Sequence, residues 1–124
     1  MPASFATTTY TPDRLVAQNA HLLVAVSITV ISGQNLVRGS VLGKITASGK
    51  YNLSLSAAAD GSQTPDLILA EDCNATAGDK TAIAYERGDF DGQALTLGAS
   101  HTLASIREGL RVKGIEIIST QGGV

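Results

Sequence analysis

Short apolar pieces, interrupted by small and polar residues, run through most of the chain. From Leu22 to Ser32 the pattern alternates. Val24, Val26, Ile28 and Val30 share one face, while Ala25, Ser27, Thr29 and Ile31 share the other, which is small and partly polar. This predicts a strand with one core face and one face turned to solvent or to a neighbouring subunit. Between Ser32 and Pro65 glycine recurs at 33, 39, 43, 49 and 61. Leu36, Val37, Val41, Leu42, Ile45, Tyr51, Leu53 and Leu55 lie between them, in runs too short for an average helix. That grammar predicts short strands joined by tight turns and bulges, because glycine reaches φ > 0 without steric cost. Ser48-Gly49, between Ile45 and Tyr51, is the clearest hairpin signal.

Further along, Asp60 to Pro65 reads as a loop and Asp66 to Ala70 as a short strand, with Leu67 and Leu69 alternating against Ile68; Glu71 to Asn74 closes it. Thr81 to Arg87 predicts another strand, Ile83 and Tyr85 on one side and Ala82 and Ala84 on the other. Gly88 to Gly92 reads as a turn and Ala94 to Leu97 as a brief strand. The period then changes. His101 to Lys113 predicts the one helix, with Leu103, Ile106 and Leu110 as its apolar stripe. Ser100 or Thr102 suits its N-cap, and Gly114 its stop. Gly109 weakens it by about 1 kcal/mol relative to Ala unless something packs closely there. Ile115 to Ile118 is a last strand. The fold class expected is mainly β with one helix near the C-terminus, in a single domain.

The first twenty residues differ from the rest. Pro2, Thr7-Thr8-Thr9 and Pro12 carry no amphipathic period, so residues 1–20 read as an arm and residues 21–124 as the body. Thr7 to Thr11 is nonetheless β-prone, and such a segment adds readily to the edge of a partner's sheet. Thr11, followed by Pro12, is placed to cap a short helical turn into the body.

Charge changes the picture in two ways. The formal charge of −2 argues against a binder that neutralises phosphates, so no nucleic acid is expected as a partner. Its distribution is uneven: residues 60–91 hold eight acids against Lys80 and Arg87, while Arg14, Arg38, Lys44 and Lys50 precede them. A dipolar module of this kind docks in one orientation. Charged residues make up only 16% of the chain, which suits a surface partly buried against partners and equally suits a small β domain. The N-terminus reads as lacking a secretory leader. The longest apolar stretch, Leu22 to Ile31, is about half of what a membrane helix needs, so no membrane partner is expected. Cys73 is alone and forms no internal disulfide.

Chemistry is sparse. His21 and His101 form no HxxxH pair and no CxxC exists, so zinc has no local support. Asp89-Phe90-Asp91-Gly92 has the opening of a calcium loop without its later glycine and terminal Glu. No phosphate cradle or GxSxG elbow is present. Catalytic residues, metal sites and cofactors are all expected to be none.

Three segments carry a family likeness: GQNLVRGSVLGKITASGKY, AAADGSQTPDLILAED and HTLASIREGLRVKGI. In this order, over Thr9 to Ile118, the chain resembles the bacteriophage lambda-type head decoration protein D family. The resemblance implies a β-clip-like body and an N-terminal arm that engages the capsid shell. It further implies a homotrimer seated at three-fold sites of the expanded head, acting as cement, with the major capsid protein as partner. The location implied is the virion surface after synthesis in the host cytoplasm. For the capsid contact the arm offers Phe5, Thr8, Thr9, Tyr10 and Thr11, with Arg38 and Lys44 as supporting contacts. Asn19 to Leu23 departs from the family by running less polar into the first strand, which bears on how the arm leaves the body. Two other readings stay open: a small ligand- or peptide-binding β domain with a pocket lined by Tyr51, Tyr85 and Phe90, and a hydrolase using Cys73 or a serine with His101.

Overall fold

The structure, a computed structural model, describes residues 15–19 and 22–118. Its strands are β1 (Val16–Gln18), β2 (Val24–Val30), β3 (Asn35–Leu36), β4 (Val41–Lys44), β5 (Tyr51–Leu53), β6 (Pro65–Leu69), β7 (Cys73–Asn74), β8 (Lys80–Asp91) and β9 (Ile115–Ile118), with one helix, α1 (Leu103–Val112). The body is mainly β with a single helix near its end, as the pattern predicts.

Five strands close on themselves. β8 pairs β2, β2 pairs β5, β5 pairs β4, β4 pairs β6, and β6 returns to β8. Every pairing in this ring is antiparallel except β2–β5, which meets in parallel at Val30 and Tyr51 alone. The expected hairpin joins β4 to β5, with Lys44 opposite Tyr51 and Gly49 at φ +76°. Inside this small barrel lie Ile28, Val30, Leu42, Leu67, Leu69, Ala82 and Ala84. The predicted alternation on β2 holds: Ile28 and Val30 point inward, while Ala25 and Ser27 are exposed. On β8 the small face is the inner one, and Ile83 is left outside. The larger side chains of β2, β4 and β6 fill a narrow ring, so β8 contributes alanines to it.

A second core lies outside the barrel wall. Val41 and Ile68, the alternate residues of β4 and β6, face away from the barrel and meet Phe90, Ile106, Leu110, Ile115, Ile117 and Leu15. β4 and β6 therefore bury both faces, which the period of two makes possible only when each face has its own core. α1 covers this second core with Ile106 and Leu110. Its N-cap is Thr102, whose Oγ1 accepts from Ser105 N at 3.1 Å while Ser105 Oγ accepts from Thr102 N at 2.9 Å. Gly114, at φ +100°, ends it.

β8 belongs to both cores, and this corrects the expected turn at Gly88 to Gly92. Residues 80–87 pair with β2 in the barrel; residues 88–91 run on between β1 and β9. Local turn chemistry in Gly88-Asp89-Phe90-Asp91-Gly92 is overridden because two distant strands supply its hydrogen bonds. The crossing point is Gly88, at φ +149°. A Cβ there would stand 2.5 Å from Leu23 Cδ2 and 3.1 Å from Phe90 Cζ. The chain turns only after Asp91, in a 3₁₀ turn over Gly92–Ala94 whose cap is Asp91 itself, Oδ1 accepting from Gln93 N at 2.9 Å. The expected strand at Ala94 to Leu97 reduces to one bridge, Ser40 to Thr96. The segment expected to close β6 instead holds β7, paired with β3.

Candidate docking surfaces

The chain enters the body at Leu15, inside the segment expected to be an arm. Leu15 is 2% exposed and packs in the second core; its carbonyl accepts from Asp91 N at 2.8 Å. β1 follows, with Val16 opposite Phe90. On the other flank of β8, Ile118 stands opposite Asp91. Both ends of the described body thus leave on either side of one residue, Asp91. With neighbouring strands about 4.8 Å apart, the two exits are about 10 Å from each other. Phe5, Thr8, Thr9, Tyr10 and Thr11, and the expected cap at Thr11, lie outside the described residues.

Arg38 and Lys44, the two body residues expected to support docking, sit at opposite ends of one stretch. Arg38 turns its guanidinium onto the protein. Nη1 donates to Ala70 O at 2.6 Å and to Tyr85 Oη at 3.2 Å, and the group lies 5.7 Å from the Tyr85 ring centre. Its backbone N donates to Asp72 Oδ1 at 2.8 Å. Arg38 therefore fixes the segment between β3 and β4 against the end of β6. Lys44 is exposed. It borders a groove of about 290 Å³ with Thr46, Gly61, Thr64, Asp66 and Lys113.

The groove adjoins a second hollow at one mouth of the barrel, where Val26, Tyr51, Asp66, Leu67, Glu86 and Lys113 meet. Here Tyr51 Oη donates to Asp66 Oδ2 at 3.0 Å, and Lys113 Nζ donates to Asp66 Oδ1 at 2.8 Å and to Pro65 O at 3.0 Å. Burial, and then the bond to Asp66 and the charges of Asp66 and Glu86, push the Tyr51 hydroxyl up to about 12. The tyrosine is thus a fixed neutral donor that ties β5 to β6, and Lys113 ties both to the end of α1.

The alternative readings meet obstacles in the geometry. Phe90 is fully buried, packed at 5.4 Å on Tyr85, and is not among the residues that line the hollow at Tyr51. Cys73 is buried in the barrel-side core. His101 partners Ser54 instead: Nε2 lies 3.2 Å from Ser54 Oγ and 3.1 Å from Gln63 O, and Nδ1 lies 3.1 Å from Ser105 Oγ. Ser54 is fully buried and spends its proton on Ser62 O at 2.7 Å. A carbonyl accepts only, so the Gln63 contact suits a proton on Nε2, and Ser54 is already engaged with Ser62 O. This is a strut joining the end of β5, the loop before β6 and the start of α1. Sequence alone flagged His101 but not Ser54, because forty-seven positions separate them. Asp89 and Asp91 lie on β8 rather than in a loop, and among the described residues no group of three or more His, Cys, Asp or Glu is placed to hold a metal ion. Nor is any helix of the described residues long and apolar enough to cross a membrane.

What remains is a body with no assembled reaction centre among the described residues, both ends of the described body on one side, and two hollows that share Asp66 and Lys113. The chain belongs to the bacteriophage lambda head decoration protein D family, whose model matches residues 4–114. The match takes in the arm as well as the body. It makes the protein a structural component of a phage head, located on the capsid, in a family of decoration proteins rather than of enzymes. None of the curated proteins compared with the chain matches it.

Proposed function

We propose that the protein is a trimeric cement that binds the outer surface of the expanded phage head at its three-fold sites and stabilises it. The observation that carries this reading is the exit of both chain ends beside Asp91 in a member of a head decoration family. That side faces the shell. Residues 1–14 reach across it, with Phe5, Thr8, Thr9, Tyr10 and Thr11 adding as an extended strand to an edge of the major capsid protein. Main-chain hydrogen bonds supply affinity there, and the two aromatics supply apolar area. Arg38 supports the contact by holding its own segment in place, and Lys44 does so by charge.

Trimerisation multiplies a weak arm. Three linked arms raise each other's effective concentration, so the assembly holds across subunit boundaries far more tightly than one arm does. No cofactor, nucleic acid or membrane enters this account. The test is a heat challenge of expanded, genome-filled heads lacking their own decoration protein, read as nuclease-accessible DNA. Added protein is expected to delay DNA release to a higher temperature and to saturate at three copies per three-fold site. Binding without any delay, or saturation at another ratio, overturns the cement reading.

A further inference from the structure

The groove beside β4 is cationic in a chain that is acidic overall. Lys44 and Lys113, which outnumber the one carboxylate there, Asp66, border it with Thr46 and Thr64, and the Lys44 ammonium has no hydrogen-bond or ion-pair partner among the described residues. Lys113 is held in place by Asp66 and Pro65 O. The groove thus presents one available cation, Lys44, beside the Lys113–Asp66 ion pair and two hydroxyls, with one net positive charge to meet a carboxylate.

A matching surface lies at the other end of the same ladder. Lys44 closes β4 beside the start of β6, where Gly43 stands opposite Pro65. Glu71 and Asp72 follow the far end of β6, and both are exposed. Each carboxylate is fixed through one oxygen by a backbone N–H, Glu71 Oε2 by Ile83 at 3.1 Å and Asp72 Oδ1 by Arg38 at 2.8 Å. Their second oxygens point to no partner among the described residues. Apolar area flanks them: Val37 is 49% exposed and Ile83 39%. About six residues of strand, at about 3.3 Å each, separate the acidic end from the cationic end by about 20 Å. One copy cannot close this pair on itself.

We propose that the Lys44–Lys113 groove receives the Glu71–Asp72 corner of a second copy of the chain, in a head-to-tail contact. Two different complementary patches on one molecule form a heterologous interface, which closes into a ring when the rotation permits. Val37 and Ile83 become its apolar centre and the charges set its register. The inference rests on self-assembly under the proposed function, and it has Lys44 serve the contact between copies as well as the shell contact.

The experiment is a charge swap. Lys44→Glu and Glu71→Lys are made separately in the full chain, and retained folding is checked by thermal melting. Each is then measured alone and in equimolar mixture, by sedimentation at high concentration and by carbodiimide cross-linking on expanded heads. Each variant alone is expected to lose inter-copy assembly by about tenfold or more, the cost of one like-charge contact. In the mixture, the groove of a Lys44→Glu copy meets the corner of a Glu71→Lys copy with the charges exchanged, one restored interface, and cross-linked pairs are expected to return. In the parent the cross-link joins Lys44 to Glu71 or Asp72 of another copy. Unchanged assembly by both single variants, or no recovery in the mixture, overturns the inference even when arm-dependent head binding persists. Recovery in solution with no head binding leaves the inference standing and removes the cement reading. A parent that forms no inter-copy contact in either setting overturns it.

Discussion

Gly88 is the position where one strand serves two cores, and its replacement is the sharpest test of the fold. Its φ of +149° excludes L side chains at low cost. Holding a Cβ there stores about 1–3 kcal/mol of backbone strain. Steric overlap adds to this unequally. Leu23 Cδ2, at 2.5 Å, is the tip of a half-buried side chain that rotates away. The Phe90 ring, at 3.1–3.2 Å, is fully buried and packed on Tyr85, so it yields only by disturbing the second core. That contributes about 1 kcal/mol, the low end of overpacking. Gly88→Ala is therefore expected to destabilise by about 2–4 kcal/mol, a fall in Tm of about 8–15 °C for a chain of this size. Gly109 supplies the internal comparison. A Cβ there meets nothing within 4 Å, and the residue sits inside α1. Gly109→Ala is expected to stabilise by about 0.5–1 kcal/mol. Urea denaturation with a shared m-value measures both. The reasoning is refuted if Gly88→Ala unfolds within about 0.5 kcal/mol of the parent (the scatter of a surface substitution), or if Gly109→Ala is destabilising.

Three further outcomes follow from the packing and the charges. The raised Tyr51 value means that the unfolded chain loses this proton at lower pH than the folded one, so stability is full below about pH 10 and declines as pH rises toward about 12; Tyr51→Phe is expected to lessen that decline in alkaline melts. Leu110, fully buried between α1 and the sheet, is expected to cost about 2–5 kcal/mol as Leu110→Ala, read by urea midpoint. Thr102→Ala removes half of the capping box and is expected to cost about 1 kcal/mol, whereas Ser100→Ala, outside the cap, is expected to cost less in the same assay.

The parts of this fold readable in the sequence are those set by local period and local caps. The alternation of Val24 to Val30, the hairpin at Gly49, the stripe of Ile106 and Leu110 and the stop at Gly114 all follow from neighbours in sequence. The parts that escaped are set by distant partners. Asp89 to Asp91 carry turn residues, yet β1 and β9 hold them extended from over seventy and over twenty positions away. β1 escaped because three residues next to a polar arm show no period of their own, and Leu15 looks like a tail residue until Phe90 and Asp91 are seen beside it. Of the candidate site, Lys44 was visible as a charge in a glycine-rich stretch. Its pairing with Lys113 was not, since it depends on α1 ending beside Pro65. Arg38 drew notice for its charge, whereas the structure uses that charge internally, on Ala70 O and Tyr85.

The central claim is that the arm fastens the body to the shell, and a truncation tests it most directly. The cut belongs after residue 14, because Leu15 is part of the second core and its loss would unfold what is being measured. Full-length protein and a form starting at Leu15 are mixed with expanded heads, the heads are pelleted, and bound copies are counted. The account predicts that the shortened protein melts like the parent yet fails to pellet, while the full chain binds to saturation. Equal binding of the two folded forms would contradict it, and would place the shell contact on the body instead.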